Sequence, residues 1–575
     1  MKTLNRKVLR NLWSLRGPGA AIALVIAAGV AVFVMALSTL DSLEQTRSLF
    51  YQDYRFADVF AELKRAPDRT AGSLREISGV AEVQTRVMSM ARLEVPDFDE
   101  PVRGQLVSLP GGGQPDLNQL YLREGRLPGP TGSDEIVISD GFAEAHELEI
   151  GDPLTAIMNG RRRAFRIVGI ALSPEFILQV APGALFPDYQ RFGVFWLRAE
   201  VLEGAYDMEG AFNSVTLDLA PDASEDAVID RVDEVLAPYG SPGAYARADQ
   251  QSHFYLSEEM RQLNTFATLL PVIFLGVAAF LLNVVVGRLI QTDREEIAIL
   301  KAFGYGNADV GVHYAKLVGA IVLLGSAAGI GLGAWLGEGM AGMYQEFYRF
   351  PFLAYELPLY VVVAGFGVAG VAAAVGAVRA IRSAVALPPA EAMRPEPPAN
   401  YEESFIERVG LKDLFSQPTR MIARHLERHP VKSMLSVVGI ALGCSLLIMG
   451  RFSRDSIEYL VEVQFEVAQQ EDLTVSFIEP TSRDAAFELA SVPGVRRAEP
   501  MRSVAVRLRS GHRSRRTSIS GIDPDGVLHR VLDEDLDPVD LPPAGILINR
   551  QLANILGVGP GDSLTVEVME GTRPT

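Results

Sequence analysis

The chain has 575 residues, 48% of them apolar and 22% charged, which is room for several domains and more apolar than a soluble protein of that charge. A mean hydropathy of +0.16 fits that charge only if apolar residues are gathered into blocks with charges between them. A net charge of −18 argues against a nucleic-acid partner, which needs clustered cations, and the single cysteine, Cys444, excludes a disulfide framework or a cysteine-based metal site.

In chain order, residues 1–17 come first, with Lys2, Arg6, Lys7, Arg10 and Arg16 and no acid. They read as a basic amphipathic segment. The apolar run behind them, span 18–40, could be taken for a signal peptide with Ala36-Leu37-Ser38 as its cleavage site. Its length and its internal counterpart favour an uncleaved span instead. An acidic stretch, 41–261, follows and reads as an exterior domain.

Then come three more charge-free runs, 262–287, 317–337 and 357–378, within a domain 262–382. A linker, 383–432, leads to a fifth run at 433–450 and a second exterior segment, 451–575. About 20 residues cross a bilayer as a helix. Four runs meet this, and the fifth extends by letting Lys432 and Arg451 snorkel.

Basic flanks set the orientation. The basic 1–17 segment stays in the cytosol, and alternation puts 383–432, with its many arginines and lysines, on the same side. The fold class is therefore a multi-pass α-helical membrane protein with large mixed α/β extracytoplasmic domains. The spans are arranged one plus three, and the unit is duplicated.

The duplication is visible in four matches. Arg16-Gly17-Pro18 corresponds to Arg428-His429-Pro430, and Ile77-Ser78-Gly79-Val80 to Val492-Pro493-Gly494-Val495. Glu135–Ser139 corresponds to Gly545–Asn549, and Gly151-Asp152-Pro153-Leu154 to Gly561-Asp562-Ser563-Leu564. The separation is near-constant, about 410 residues, as a repeat demands. On this reading the second copy breaks off at Thr575, and the missing remainder holds three further spans.

Within the first exterior domain, Glu135–Ser139, Leu154–Met158, Phe165–Ala171 and Ser214–Leu219 read as strands. Leu74–Ile77, Asp140–Leu148 and Glu225–Leu236 read as helices. Gly111-Gly112-Gly113 lacks the Lys-Ser/Thr of a phosphate loop and reads as a flexible turn. Arg161-Arg162-Arg163 follows Asn159-Gly160 at a hairpin tip and reads as a solvated turn, with a partner or anionic lipid as the alternative. His146 and His253 have no nucleophile or acid arrayed with them.

Two features mark the membrane domain. Gly325, Gly329, Gly333 and Gly337 share one helix face, a small-residue row that lets helices approach closely, within one subunit or across a dimer or repeat seam. Pro271 is expected to kink the second span. Cys444 reads as a small buried hydrophobe. His425 and His429 lack the adjacent acid of a zinc-protease helix and read as part of a juxtamembrane helix.

The segment from Asp293 to Gly304 carries the function. Ile297, Leu300, Lys301 and Gly304 share a face at i, i+3, i+4 and i+7, and Gly304 closes the helix. The run Glu296-Ile297-Ala298-Ile299-Leu300-Lys301-Ala302-Phe303-Gly304 resembles the signature of FtsX/MacB-like ABC transporter permeases. Leu387–Pro395 is similar to the run that follows the last span of that domain. Glu295 stands where the family usually has Arg.

The resemblance implies that Arg294, Glu295, Glu296, Ile297, Ile299, Leu300, Lys301, Phe303 and Gly304 form the helix that couples to a cytosolic ATPase. An ordinary interfacial loop is the alternative. It also implies a MacB-like periplasmic core at 41–261 and an FtsX-like domain at 262–382. The setting would be the bacterial inner membrane, with membrane lipid, a second permease copy or paired permease, and a periplasmic adaptor as partners.

No Gly-x4-Gly-Lys-Ser/Thr occurs, so ATP is expected on the partner, with no cofactor, metal or catalytic residue here. The expected function is a permease subunit that moves its exterior domains for export, extraction or mechanotransmission. The charge-free spans count against an ion-coupled transporter. The alternative is a membrane sensor or scaffold whose exterior domain binds a ligand and signals inward.

Overall fold

The computed structural model describes residues 2–569, apart from 97, 112, 183, 185, 387, 389–421, 423–425, 428, 429, 478, 479 and 512. Most of Leu387–Pro395, the His425/His429 pair and the middle glycine of 111–113 therefore lie outside the described residues. The chain divides into two compact units. One comprises Met1–Ser48, Leu256–Tyr348 and Phe352–Arg451; the other comprises Leu49–Tyr255, Arg349–Pro351 and Phe452–Thr575.

The first unit is helical because its charge-free runs can satisfy every backbone group only within themselves. Among the described residues, five helices are long and apolar enough to cross a membrane. They are Arg16–Asp53, Gln251–Thr292, Asn307–Phe347, Leu359–Ala386 and Pro430–Glu462. The first two continue well past the ends of their charge-free runs. Pro271 lies inside the second helix, which continues through it.

Ile26, Val30 and Val34 of the first span meet Leu282 of the second, Ile321 of the third and Ala373 of the fourth in one core. Among the described residues, the fifth helix adds nothing to that core. It touches the second at Gly439, which faces the Phe280 ring, and where Leu442 approaches Gly276. Cys444 is consequently exposed, not buried as its apolar setting suggests, because the apolar surface of this helix is not covered by the other four.

Among the described residues the second unit holds fourteen strands. They are β1 (Val59–Pro67), β2 (Val80–Arg86), β3 (Met88–Val95), β4 (Phe98–Leu109), β5 (Tyr121–Gly125), β6 (Glu135–Ser139), β7 (Pro153–Met158), β8 (Arg161–Leu172), β9 (Phe192–Arg198), β10 (Ala211–Leu219), β11 (Tyr245–Ala246), β12 (Arg502–Ser510), β13 (Arg513–Gly521) and β14 (Thr565–Val568). β11, β1, β10 and β2 form one sheet in that order, and β5, β8, β6, β9, β4, β3 and β7 a second. β7 also pairs with β8, which closes the second sheet into a barrel with β5 on its rim.

Phe142, Phe165, Ile167, Phe195 and Leu197 are among the residues that fill one face of this sheet. Leu74, Val228 and Val232 cover the four-stranded sheet. A buried ion pair ties the sheet to the barrel. Arg86 on β2 donates to both carboxylate oxygens of Glu175 at 2.5 and 2.6 Å, and Asn118 adds a third bond at 2.8 Å.

Two sequence expectations shift here. The first short helix is Thr70–Arg75, upstream of Leu74–Ile77. The helix after β6 ends at Ala145, because Glu147 turns into the left-handed region at φ 52°. Arg162 pairs with Glu94 at 2.5 Å and Arg163 donates to the Ser133 carbonyl, so two of the three arginines are anchored to the domain. Arg349, in the segment after the third span, pairs with Asp140 and Glu144 and lies over the Tyr189 ring at 4.6 Å.

The second exterior segment repeats the first. β12 pairs with β13 and β14, as β3 pairs with β4 and β7. Arg92 faces Arg103 and Ile157; Arg507 faces Arg516 and Glu567. The turns agree as well. Gly79 and Gly494 both have φ 97°. The carboxylate of Asp152 accepts from the Glu149 amide at 2.9 Å, and that of Asp562 from the Gly559 amide at 2.8 Å.

Candidate functional site: the helix between the second and third spans

The second span ends at Thr292, and a new helix, Arg294–Ala302, begins after one residue. That residue, Asp293, is a hub. Its carboxylate accepts hydrogen bonds from the Tyr314 hydroxyl at 3.1 Å and the Asn11 amide at 3.3 Å. The Lys7 ammonium lies 3.7 Å away and also pairs with Glu296. The Lys7 hydrogen bond is the main cause holding the Glu296 carboxyl below its ordinary range. One acidic corner thus joins the N-terminal helix Lys2–Ser14, the end of the second span and the start of the third.

The other end is a tight stop. Gly304 sits at φ 92°, a left-handed conformation that costs glycine little. Its amide donates to the Lys301 carbonyl at 3.0 Å, and the Tyr305 amide to the Leu300 carbonyl at 3.1 Å, the paired bonds of a Schellman ending. The Asp309 carboxylate then accepts from the Gly306 amide at 3.0 Å, where the third span starts. Lys301 donates to the Val385 carbonyl at 2.7 Å, which ties this helix to the end of the fourth span.

The helix has a covered and an uncovered face. Ile297 and Ala298 are buried, at 1% and 0% exposure, and Ile297 belongs to the core of the membrane unit. Leu300 and Lys301 are half-buried. The face at Ile297, Leu300 and Lys301 therefore serves the chain's own packing. The uncovered apolar residues are Ile299, 47% exposed, and Phe303, 81% exposed. They lie one turn apart, flanked by exposed Glu295, Ala302 and Gly304. Arg294 is half-buried at the base.

Lys7, Asn11 and Tyr314 escaped sequence reasoning because nothing local connects position 7 with position 296. A signal existed all the same: five cations without an acid at 1–17 complement the acids at 293, 295 and 296.

The glycine row is a filled seam. A Cβ at Gly325, Gly329 or Gly333 would come within 2.8, 2.7 and 2.7 Å of the carbonyl oxygens of Ala23, Ala27 and Ala31. One at Gly337 would meet the Tyr355 hydroxyl at 2.6 Å, which is itself hydrogen-bonded to Ser38. The third span therefore lies backbone to backbone along the first, and this face is taken up within the chain rather than offered to a second copy. Among the described residues, no group of three or more His, Cys, Asp or Glu is placed to hold a metal ion.

Comparison with known proteins gives two family matches. Residues 268–386 match the FtsX-like permease C-terminal model, and residues 20–235 match the MacB-like periplasmic core domain model. No curated protein matches the chain. Among solved structures it is similar to the extracellular domain of the noncanonic ABC-type transporter YknZ from Gram-positive bacteria. That match has 12% identity and a TM-score of 0.24, covering 33% of this chain and 98% of that one. It is also similar to the periplasmic region of MacB from Actinobacillus actinomycetemcomitans, with 12% identity and a TM-score of 0.24, covering 36% of this chain and 95% of that one.

Proposed function

The chain is a member of the FtsX/MacB-like family of ABC transporter permeases, and on that premise we propose that residues 294–304 receive the stroke of a cytosolic ATPase and pass it to the spans. Permeases of this family work with a cytosolic ATPase that is a separate subunit. The family and the five apolar helices make the protein a multi-pass inner-membrane protein with a periplasmic domain. The proposal adds an orientation, with Lys2–Ser14 and Arg294–Ala302 on the cytosolic side, supported by the cations at 1–17.

One observation carries the reading: Phe303 and Ile299 stand uncovered on a helix held by Asp293, Ile297 and Lys301. An exposed aromatic and aliphatic pair on a rigid element is the kind of anchor that dominates protein interfaces. The single residue between Thr292 and Arg294 leaves no slack, and the Gly304–Gly306 turn leaves little. A displacement of this helix therefore pulls on the second and third spans together. The glycine seam makes the first span follow the third. Asp293, bonded to Lys7, Asn11 and Tyr314, keeps the corner from yielding. The moved exterior domains then do the work of export, extraction or mechanical signalling.

The test is ATP hydrolysis by the partner ATPase in the presence of the full chain in nanodiscs. Ile299→Asp with Phe303→Asp reduces stimulation by about thirtyfold, the loss of an interface anchor, while thermal unfolding is unchanged. Full stimulation by that double variant contradicts the proposal.

A further inference from the structure

The N-terminal helix has two faces, and among the described residues only one is covered. Its inner face carries Lys7, which pairs with Asp293 and Glu296, and Val8, Leu12 and Leu15, which pack on the membrane core. Its outer face carries Arg6, Leu9, Arg10 and Trp13, and Arg16 follows two residues past its end, all exposed. Leu9 is 68% and Trp13 74% exposed, and the Arg16 guanidinium lies over the Trp13 ring at 5.8 Å. Arg16 is also the first residue of the first span. The helix thus ends where that span begins, and its outer face alternates cations with a tryptophan and a leucine.

We propose that this outer face is a docking surface for the headgroups of anionic phospholipids, and that bound lipid braces the helix that receives the stroke. Three observations select this occupant. The first is charge: the surface is purely cationic in a chain of net charge −18, so it complements phosphate esters. The second is side-chain type: a tryptophan with arginines is suited to the boundary between acyl chains and headgroups, with the ring in the apolar layer and the guanidinium groups at phosphate depth. The third is position, because direct continuity with the span holds the helix at the bilayer surface.

The consequence follows from Lys7. It sits on the opposite side of the same helix and holds the acidic corner of residues 293–296. A lipid that pins the outer face therefore stiffens the joint through which the spans are moved. The docking surface depends on the first span being in the bilayer, whereas the bracing of the short helix rests on the function proposed above.

The experiment uses the full chain with Trp196→Phe and Trp335→Phe, leaving Trp13 as the only tryptophan. The chain is placed in phosphatidylcholine nanodiscs containing a minority of phosphatidylglycerol. Bromine is carried on the acyl chains of either lipid at equal total content. The proposal expects Trp13 to be quenched about fivefold more by brominated phosphatidylglycerol, the contribution of a single cation near an anionic surface. Arg6→Gln, Arg10→Gln and Arg16→Gln together equalise the two lipids, and inorganic phosphate at matched ionic strength does not displace the preference. Equal quenching by both lipids in the unmutated chain overturns headgroup selection. Absence of quenching overturns the docking surface altogether, because the face is then covered by protein or solvent. Displacement by inorganic phosphate overturns the lipid assignment in favour of a simple anion site.

Discussion

The glycine row of the third span and the apolar pair on the short helix before it present the same kind of sequence pattern and meet opposite ends. The row is filled: Gly325, Gly329 and Gly333 lie against the carbonyls of the first span, so the pattern is spent on holding the chain together. The pair is empty: Ile299 and Phe303 face outward on a helix that is otherwise pinned at both ends. A small-residue stripe inside a membrane bundle tells where two helices of one chain meet. An apolar pair left uncovered outside the spans is where the proposed function places the ATPase.

Substitutions can break or sharpen that contrast. The largest effect is expected at Ile297, on the buried side of the same helix. Ile297→Asp puts an unpaired charge into the core, costs several kcal/mol, and lowers the yield of folded protein in detergent. Normal yield would place Ile297 at the surface and erase the division of faces. Next is Gly329→Leu, whose side chain would press on backbone with no flexible neighbour to yield. A cost of about 3 kcal/mol is expected as a lowered thermal midpoint, whereas an unchanged midpoint would mean the seam is loose.

Phe303→Asp comes third on a stability scale. As an exposed position it moves folding by about 0.5 kcal/mol or less, yet it removes co-purification of the ATPase. Last is Lys7→Met. The pair with Glu296 is partly exposed and contributes at most about 1 kcal/mol. Its loss is expected to leave the thermal midpoint nearly unchanged while weakening stimulation of the ATPase severalfold. Full stimulation would show that the acidic corner needs no lysine.

Much of the fold was legible because its causes are local. Runs without charge identify the spans, and the turn residues Gly79 and Gly494, or Asp152 and Asp562, identify the repeat, since the same turn needs the same residues. Pairing was not legible. Glu135–Ser139 is a buried strand between β8 and β9, whereas its counterpart Gly545–Asn549 forms no strand among the described residues. The alternating apolar pattern alone does not make a strand where no neighbours pair with it.

Which side of the short helix the chain covers was not legible for a related reason. Spacing marks Ile297, Leu300 and Lys301 as one face and Ile299 and Phe303 as another, but which face the chain covers depends on its own N-terminal helix and spans. Lys7 and Asn11 lie far away in sequence and carry no motif. Cys444 was misplaced because an apolar run guarantees an apolar setting without guaranteeing protein neighbours.

The most direct measurement is site-specific photocrosslinking from two positions of that helix in the assembled transporter. With a benzophenone side chain at position 303, a covalent adduct with the cytosolic ATPase is predicted, and with the same group at position 297 only adducts within the chain. An ATPase adduct from 297 and none from 303, or adducts of 303 with periplasmic proteins, would contradict the account.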